Sequence, residues 1–242
     1  MLGRLLGRSR RTHPYTELYE RHARQGGNVG IGDYDLIGRL ELAVLRSVGL
    51  TPASTLLDFG CGDGRLAIHA VPFLAGGGNY IGIDVSTTFL AAATQRVADL
   101  GGLDGVTVTF RQQSTPDFEM APASVDVVCA FSVFTHMEHE DMYRYLGAMR
   151  HIVKDDGVMV ISVLPLDLAV AREIFLQQAA LDPQSRWQTP RNVTTTREMV
   201  ETIAGLAGWS LEQWLRGDEP HVIGPTGQLR HFGQTLAVLR PA

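Results

Sequence analysis

The 242-residue sequence has only two cysteines and no long hydrophobic run. Cys61 and Cys129 are too few for a disulfide-stabilised scaffold, and both lie in apolar stretches, which favours buried free thiols in a reducing compartment. No apolar run reaches the ~18 residues that a membrane-spanning helix needs. We therefore expect a cytoplasmic protein that neither spans a membrane nor depends on disulfides.

A surplus of positive charge is also missing. The chain has 21 Lys and Arg against 26 Asp and Glu, a formal net charge of -5 at pH 7. A general nucleic-acid binder needs basic residues to neutralise phosphates, so we expect no nucleic-acid partner. With 45% hydrophobic and 19% charged residues, the chain can instead bury the core of a globular enzyme or binding domain. Nothing in the composition fixes an oligomeric state.

Short apolar segments alternate with helical ones along most of the chain, which predicts an α/β fold with a doubly wound, mostly parallel sheet and helices on both faces. The last two strands are expected to pair as a terminal antiparallel hairpin, which gives a seven-stranded, Rossmann-like sheet. Ligands in such a sheet bind at the carboxyl ends of the strands. The predicted strands are 55–59, 80–85, 106–112, 125–131, 158–164, 209–216 and 229–239, and the predicted helices of the core are 34–49, 66–74, 87–100 and 139–153.

The same pattern divides the chain into two parts. Residues 1–50 are predicted to form a mobile basic tail followed by a helical cap, and residues 51–242 form the ligand-binding domain. Within that domain, residues 165–208 contain two helical stretches around a polar segment, and we interpret them as a candidate lid.

A glycine-rich turn follows the first predicted strand. Gly60, Gly62 and Gly64 allow a sharp turn and a close approach of the backbone to a ligand, and the following helix offers free amides. Asp84 ends the second strand, where a carboxylate can accept hydrogen bonds from two ribose hydroxyls. Acids at Asp58 and Asp63 flank the turn and would repel a pyrophosphate, so the pattern favours an adenosine ligand with an ammonium group over NAD(P). For Asp58, bonding to loop amides is an equally good explanation.

The segments LLDFGCGDG and YIGIDVS, at residues 56–64 and 80–86, resemble the first two motifs of class I S-adenosylmethionine-dependent methyltransferases. The resemblance covers roughly residues 35–163. It implies that the glycines contact the methionine part of the cofactor, that Asp84 holds the ribose and that Val85 lies under the adenine. The cofactor-binding residues expected from the loop and the resemblance together are Asp58, Gly60, Cys61, Gly62, Gly64, Asp84, Val85, Gln113, Ser114 and Phe131.

Gln113 and Ser114 follow the third strand, where the family usually places a polar or acidic side chain against the adenine amino group. Gln113 replaces the common aspartate, and its amide oxygen can accept the same hydrogen bond. The segment from Phe131 to His136 resembles the part of the family that lines the cofactor after the fourth strand. Cys61 belongs to the loop, but we expect no chemistry from its thiol.

His136 is the candidate general base, because it follows the fourth strand and imidazole titrates near neutral pH. The alternative is a helix capping box from Thr135 to Glu138, which would leave His136 exposed on a first helical turn. The acids and histidines nearby lack the spacing of metal ligands, so we expect no metal. Further side chains that could line an acceptor pocket are Tyr15, Tyr19, Tyr34, Trp187, His221, Arg230 and His231.

The resemblance implies transfer of a methyl group from S-adenosylmethionine, with S-adenosylhomocysteine as product. We expect the acceptor to be a small molecule, a secondary metabolite or sugar methylated at oxygen or nitrogen, because the chain has an acidic charge and cap and lid segments that suit an enclosed pocket. An NAD(P)-dependent oxidoreductase on the same fold and a non-catalytic S-adenosylmethionine-binding protein are the alternative functions.

Overall fold

The computed structural model describes residues 14–26 and 33–242 and contains a seven-stranded sheet. Its strands are β1 Thr55–Phe59, β2 Asn79–Asp84, β3 Thr107–Gln112, β4 Val125–Ala130, β5 Val153–Val163, β6 Trp209–Leu215 and β9 Thr235–Pro241. Their order is β3-β2-β1-β4-β5-β9-β6. All neighbouring pairs are parallel except those of β9, which runs antiparallel to both β5 and β6. The predicted doubly wound sheet with an antiparallel terminal hairpin is confirmed.

Helices cover both faces of the sheet. They are α1 Pro14–Arg24, α2 Tyr34–Ser47, α3 Ala67–Phe73, α4 Thr87–Ala98, α5 His139–Ile152, α6 Ala169–Ala180, α7 Pro183–Arg186 and α8 Arg197–Leu206. Because side chains alternate along a strand, Leu56 packs into the core with α2 and α3, whereas Leu57 packs into the core with α5 and α8. This sandwich holds the carboxyl ends of β1, β2 and β4 together at one edge.

Three parts of the chain differ from the predicted elements. β5 begins at Val153, and the predicted turn at residues 156–157 lies in a bulge, because Val153 still pairs with Val125 before Val158 pairs with Val127. The predicted strand over 229–239 is divided into β8 Leu229–Arg230 and β9, and β8 pairs with β7 Val222–Ile223 in a separate hairpin. The helix α1 was not predicted.

Both cysteines are buried and free, as expected from the sequence. Within the described residues, no helix has the length and apolar character needed to cross a membrane. The predicted basic tail lies outside the described residues, and the division into a cap and a lid-bearing domain stays a prediction.

Candidate active site

The glycine loop turns sharply where β1 ends. Gly60, Gly62 and Gly64 have φ angles of 76°, 55° and 93°, which favour glycine because a side chain would strain this backbone. A Cβ on Gly60 would clash with the side chain of Val133, and one on Gly64 would lie 3.0 Å from the Cα of Ala93 in α4. The loop therefore brings bare backbone to the carboxyl edge of the sheet, opposite the segment that follows β4.

Asp84 is fixed against this loop. Its Oδ2 accepts a 3.0 Å hydrogen bond from the Gly62 amide, and its Oδ1 accepts a 2.8 Å bond from the Ser86 amide. Removal from water raises the pKa of Asp84 to about 6, and the backbone hydrogen bonds act in the opposite direction. No described cation pairs with this carboxylate, so its remaining lone pairs are available to hydroxyl donors.

Asp58 lies near the end of β1 and is buried. Its carboxylate accepts a 2.5 Å hydrogen bond from the Tyr80 hydroxyl and a longer contact, 3.5 Å, from the Cys129 thiol. The side chain is buried in the core that faces α2 and α3. These neighbours are core side chains, and direct contact of Asp58 with the cofactor stays a prediction. Its role here is to hold β1 to β2 and β4.

The charge argument against a pyrophosphate also changes. The Asp63 carboxylate accepts hydrogen bonds from Tyr34, at 2.9 Å, and from Arg96, at 3.1 Å. Arg65, in place of a third glycine, forms a buried ion pair with Glu41. Neither flanking acid is an uncompensated charge that faces a ligand, so the choice of cofactor depends on Asp84 and on the comparisons below.

Gln113, Ser114 and Val85 lie together beyond the ends of β2 and β3. The Gln113 amide nitrogen donates to the carbonyls of Thr115, at 2.9 Å, and Asp117, at 3.2 Å. Its side-chain oxygen therefore remains as the acceptor that an adenine amino group needs. Gln112 donates to the Val85 carbonyl at 3.0 Å and supports the same corner.

Cys61 and Phe131 differ in what they contribute. The Cys61 thiol is buried beside Gly82, so only the backbone of this residue lies on the loop surface. Phe131 follows β4 and stacks on Phe232 with ring centroids 5.4 Å apart. The next residue, Ser132, has a φ of 58° and donates its amide hydrogen to Ser162 at 2.6 Å. A non-glycine residue held in this conformation is typical of functional sites.

His136 lies in a 3-10 turn over Phe134–His136 and is not on the first turn of a helix. The capping-box interpretation is wrong, because α5 begins only at His139 and has Glu138 as its N-cap residue. The Nδ1 atom of His136 lies 2.7 Å from the Arg191 carbonyl oxygen. Since a carbonyl can only accept, Nδ1 carries the proton and Nε2 carries the lone pair in the neutral ring. Burial lowers the pKa of His136, which favours this neutral form.

The strip from Arg191 to Thr195 closes one side of the site. Besides the bond to His136, its Val193 amide donates to the Thr135 carbonyl at 2.6 Å. Arg191 also forms an ion pair with Glu138 and stacks over the Trp187 ring, with its guanidinium carbon 4.3 Å from the ring centroid. No residue pattern indicates this contact in advance, because it joins segments 55 residues apart.

Helix α1 covers the other side. The Tyr15 hydroxyl donates to Asp141 and accepts from the Glu138 amide, each at 3.1 Å, at the start of α5. Glu20 accepts hydrogen bonds from the hydroxyls of Ser86 and Thr88, both at 2.7 Å, at the start of α4. Tyr15 and Tyr19 were expected only as side chains that could line an acceptor pocket, and the helix that carries them as a roof over the site was not predicted.

These residues fit S-adenosylmethionine. Asp84 offers acceptors for ribose hydroxyls, and Gln113 offers one for an amino group. At Gly60 the backbone has no side chain, and a Cβ there would clash with Val133. In the part of the chain that the structure describes, no cluster of three or more His, Cys, Asp or Glu side chains could hold a metal ion.

Comparison with known proteins places this site in a family. A sequence model of the methyltransferase domain matches residues 57–159, which span the glycine loop, Asp84 and His136. Cyclopropane mycolic acid synthase MmaA2 of Mycobacterium tuberculosis is 28% identical over 188 residues, 72% of this chain and 60% of that protein. A ribosomal protein methyltransferase of Dechloromonas aromatica is 26% identical over 55% of this chain and 46% of its own length. The chain thus matches about half to three fifths of these relatives.

Solved structures share the fold. Magnesium protoporphyrin IX methyltransferase from Synechocystis, with bound S-adenosylhomocysteine, has a TM-score of 0.62 and 18% identity, and the match covers 93% of this chain and 94% of that one. The matched domain, the relatives and the shared fold agree with the motifs that end β1 and β2. Together these findings support a class I S-adenosylmethionine-dependent methyltransferase, with residues 57–159 as the part that matches the methyltransferase domain.

Proposed function

We propose that this methyltransferase acts on an oxygen or nitrogen atom of a small-molecule acceptor and that His136 is its general base. When bound, S-adenosylmethionine supplies a methyl group on a sulfonium, which is already activated toward nucleophiles. The protein has two remaining tasks. It must hold the acceptor in line with the methyl group, and it must remove the proton that an O–H or N–H acceptor loses.

The orientation of His136 carries the proposal. The Arg191 carbonyl fixes the Nδ1–H tautomer, and burial keeps the ring neutral, so Nε2 presents a lone pair. No described residue hydrogen-bonds to Nε2. His136 would take the proton that the acceptor loses on Nε2 when the methyl group of bound S-adenosylmethionine is transferred to oxygen or nitrogen and S-adenosylhomocysteine is released. A neutral, oriented imidazole suits this proton transfer.

The enclosure of the site supports a small acceptor. Helix α1 and the Arg191–Thr195 strip both lie over the ends of the strands, and each is attached to α5 or to the turn before it. Such a roof restricts access by a large macromolecule and holds a small reactant close to the methyl group. Positioning of this kind can supply roughly 7 to 11 kcal/mol of a rate enhancement.

The test is an acceptor screen with isotopically labelled S-adenosylmethionine and mass-spectrometric detection. Its arms are small phenols, amines and sugars, mycolic acids, and ribosomal proteins, the last two chosen from the names of the curated relatives. Label on oxygen or nitrogen of a small molecule supports the proposal. Label confined to lipid or protein would overturn the acceptor class, and tight cofactor binding without turnover in any arm would favour a non-catalytic binding protein. Calorimetric binding of NAD in place of S-adenosylhomocysteine would favour an oxidoreductase.

A further inference from the structure

The hydroxyl of Tyr19 is an unexplained polar group in the roof of the site. Its oxygen is shielded from solvent and has no hydrogen-bond partner among the residues that the structure describes. Buried polar groups in folded proteins are nearly always paired, because an unpaired one loses its hydrogen bonds to water without replacement. A buried hydroxyl without a partner at a ligand site indicates that the ligand supplies the partner.

Tyr19 lies between His136, the proposed base, and Asp84, the expected ribose ligand. Its ring meets the His136 ring edge-on, with centroids 6.0 Å apart and an interplanar angle of 70°. On the other side, the next residue of the helix, Glu20, accepts a hydrogen bond from the Ser86 hydroxyl, and the Ser86 amide donates to Asp84. Burial raises the pKa of Tyr19 above its ordinary value of 10.0, and the negative charge of Asp84 adds to that effect. The phenol therefore keeps its proton at neutral pH and can donate it in a hydrogen bond.

The position of Tyr19 is fixed by residues on either side of it in α1. Tyr15, one turn before it, is bonded to Asp141 and to the Glu138 amide. Glu20, the next residue, bonds to Ser86 and Thr88 at the start of α4. Hydrogen bonds from these partners lower the pKa of Glu20 to about 2, so the attachment is ionised throughout the neutral range. Tyr19 is thus held over the site.

We infer that Tyr19 is a further cofactor ligand and that its hydroxyl donates to the same ribose hydroxyl whose proton Asp84 accepts. An alcohol group can accept one hydrogen bond while it donates another, so it can bridge a phenol and a carboxylate that do not bond to each other. The inference rests on the cofactor of the proposed function and is independent of the acceptor.

The test uses Tyr19→Phe, which removes the hydroxyl and keeps the ring. Calorimetry measures the affinity for S-adenosylhomocysteine and for 5′-methylthioadenosine, which has the ribose but no amino-acid part. Loss of one hydrogen bond weakens both ligands about five- to tenfold. Tyr143→Phe is the matched control, because Tyr143 is 46% exposed on α5 and should leave both affinities unchanged.

Thermal unfolding separates this role from a structural one. Without ligand, Tyr19→Phe removes an unpaired buried hydroxyl, so the Tm stays the same or rises. With S-adenosylhomocysteine, the gain in Tm is smaller than for the wild-type protein. A variant that lowers the ligand-free Tm while leaving both affinities unchanged would show that the hydroxyl only stabilises the fold.

A double-mutant cycle tests the shared ribose hydroxyl. Asp84→Asn and Tyr19→Phe should together weaken binding less than the product of their separate effects, because each change disturbs the same group. Strictly multiplicative losses, or a loss for S-adenosylhomocysteine alone, would overturn the ribose assignment. If the wild-type protein binds neither ligand, the proposed function itself fails, whereas wild-type binding with an unchanged Tyr19→Phe affinity overturns only the role of Tyr19.

Discussion

The hydroxyl of Tyr80 donates a 2.5 Å hydrogen bond to the buried carboxylate of Asp58, one strand away in the sheet. This bond links the strand that enters the glycine loop to the strand that ends at Asp84. Burial raises the pKa of Asp58 to about 7, although the Tyr80 hydroxyl acts in the opposite direction. Asp58, which joins the two strands behind the glycine loop, is therefore an acid that titrates near neutral pH.

The first prediction concerns stability and Asp58. Its carboxyl has an ordinary pKa of 3.8 when the chain is unfolded, so between about pH 4 and 7 the folded protein holds a proton that the unfolded chain has lost. The free energy of unfolding then falls as pH rises, by roughly 2 to 4 kcal/mol over that range. Asp58→Asn keeps an acceptor for Tyr80 and should remove this dependence. Urea unfolding at pH 5 and pH 8 measures it.

The control for Asp58 is Asp155→Asn, since the Asp155 side chain is 96% exposed. This variant should keep the wild-type change in stability between the two pH values. Parallel pH profiles for Asp58→Asn and the wild-type protein would show that Asp58 does not titrate in this range.

The second prediction concerns cofactor affinity and Asp84. Its pKa is about 6 in the ligand-free protein, and protonation removes the charged acceptor for the ribose hydroxyls. The affinity for S-adenosylhomocysteine should therefore be constant above about pH 7 and fall below pH 6, by up to tenfold at pH 5. Calorimetry across pH 5 to 8 measures this effect.

Asp84→Asn should bind about tenfold more weakly at pH 7.5, with no further loss at pH 5, because the amide does not titrate. Asp155→Asn again serves as the control and should keep the wild-type profile. If the asparagine variant still loses affinity below pH 6, another group is responsible for the pH dependence.

The third prediction concerns Gly60. Alanine at this position meets two penalties, a φ of 76° and a clash with Val133, whereas alanine at Gly77 meets only a φ of 97° in open space. Gly77→Ala should cost about 1 to 2 kcal/mol of stability, and Gly60→Ala about 1 to 3 kcal/mol more. Adding Val133→Ala should recover part of the difference. Chemical denaturation of the three variants measures it, and equal costs at the two glycines would refute the clash.

The sequence was sufficient to predict the mostly parallel sheet, its antiparallel terminal hairpin and the starts of its first four strands. Each strand from β1 to β4 begins within one residue of its predicted start. The strands β1, β2 and β4 are mainly apolar runs bounded by glycine or polar turns, whereas the edge strand β3 alternates between polar and apolar residues. Asp84 was identified because an acid that ends an apolar run needs a partner. The local chemistry of these residues determines their position.

Contacts between distant segments were beyond that reasoning. The sequence shows that Asp58 ends a strand but not which face of the sheet its carboxylate occupies, and the neighbouring Tyr80 and Cys129 decide this. Likewise, the partner of His136 is a backbone carbonyl at Arg191, which has no residue-type signal. Helix α1 was missed because its apolar residues are few, and its attachment depends on polar contacts of Tyr15 and Glu20.

The last prediction concerns His136 as the proposed base. His136→Asn places an amide nitrogen near Nδ1 and so keeps a donor for the Arg191 carbonyl, but it removes Nε2. Affinity for S-adenosylhomocysteine should stay within about twofold of the wild-type value, while kcat for an O–H or N–H acceptor falls by about 10² to 10⁴. His151→Asn, at an exposed position on α5, is the control and should retain full turnover.

The pH profile distinguishes a base from a residue that only shapes the site. Burial lowers the pKa of His136 below its ordinary value of 6.5, so wild-type kcat should be constant at neutral pH and fall only on the acidic side of 6.5, where the imidazole binds a proton. His136→Asn should lose that acidic limb along with its activity, because the titrating group is gone. A variant with low activity that still shows the wild-type acidic limb would assign the limb to another group and leave His136 a purely structural role, held by Arg191 over the end of β4.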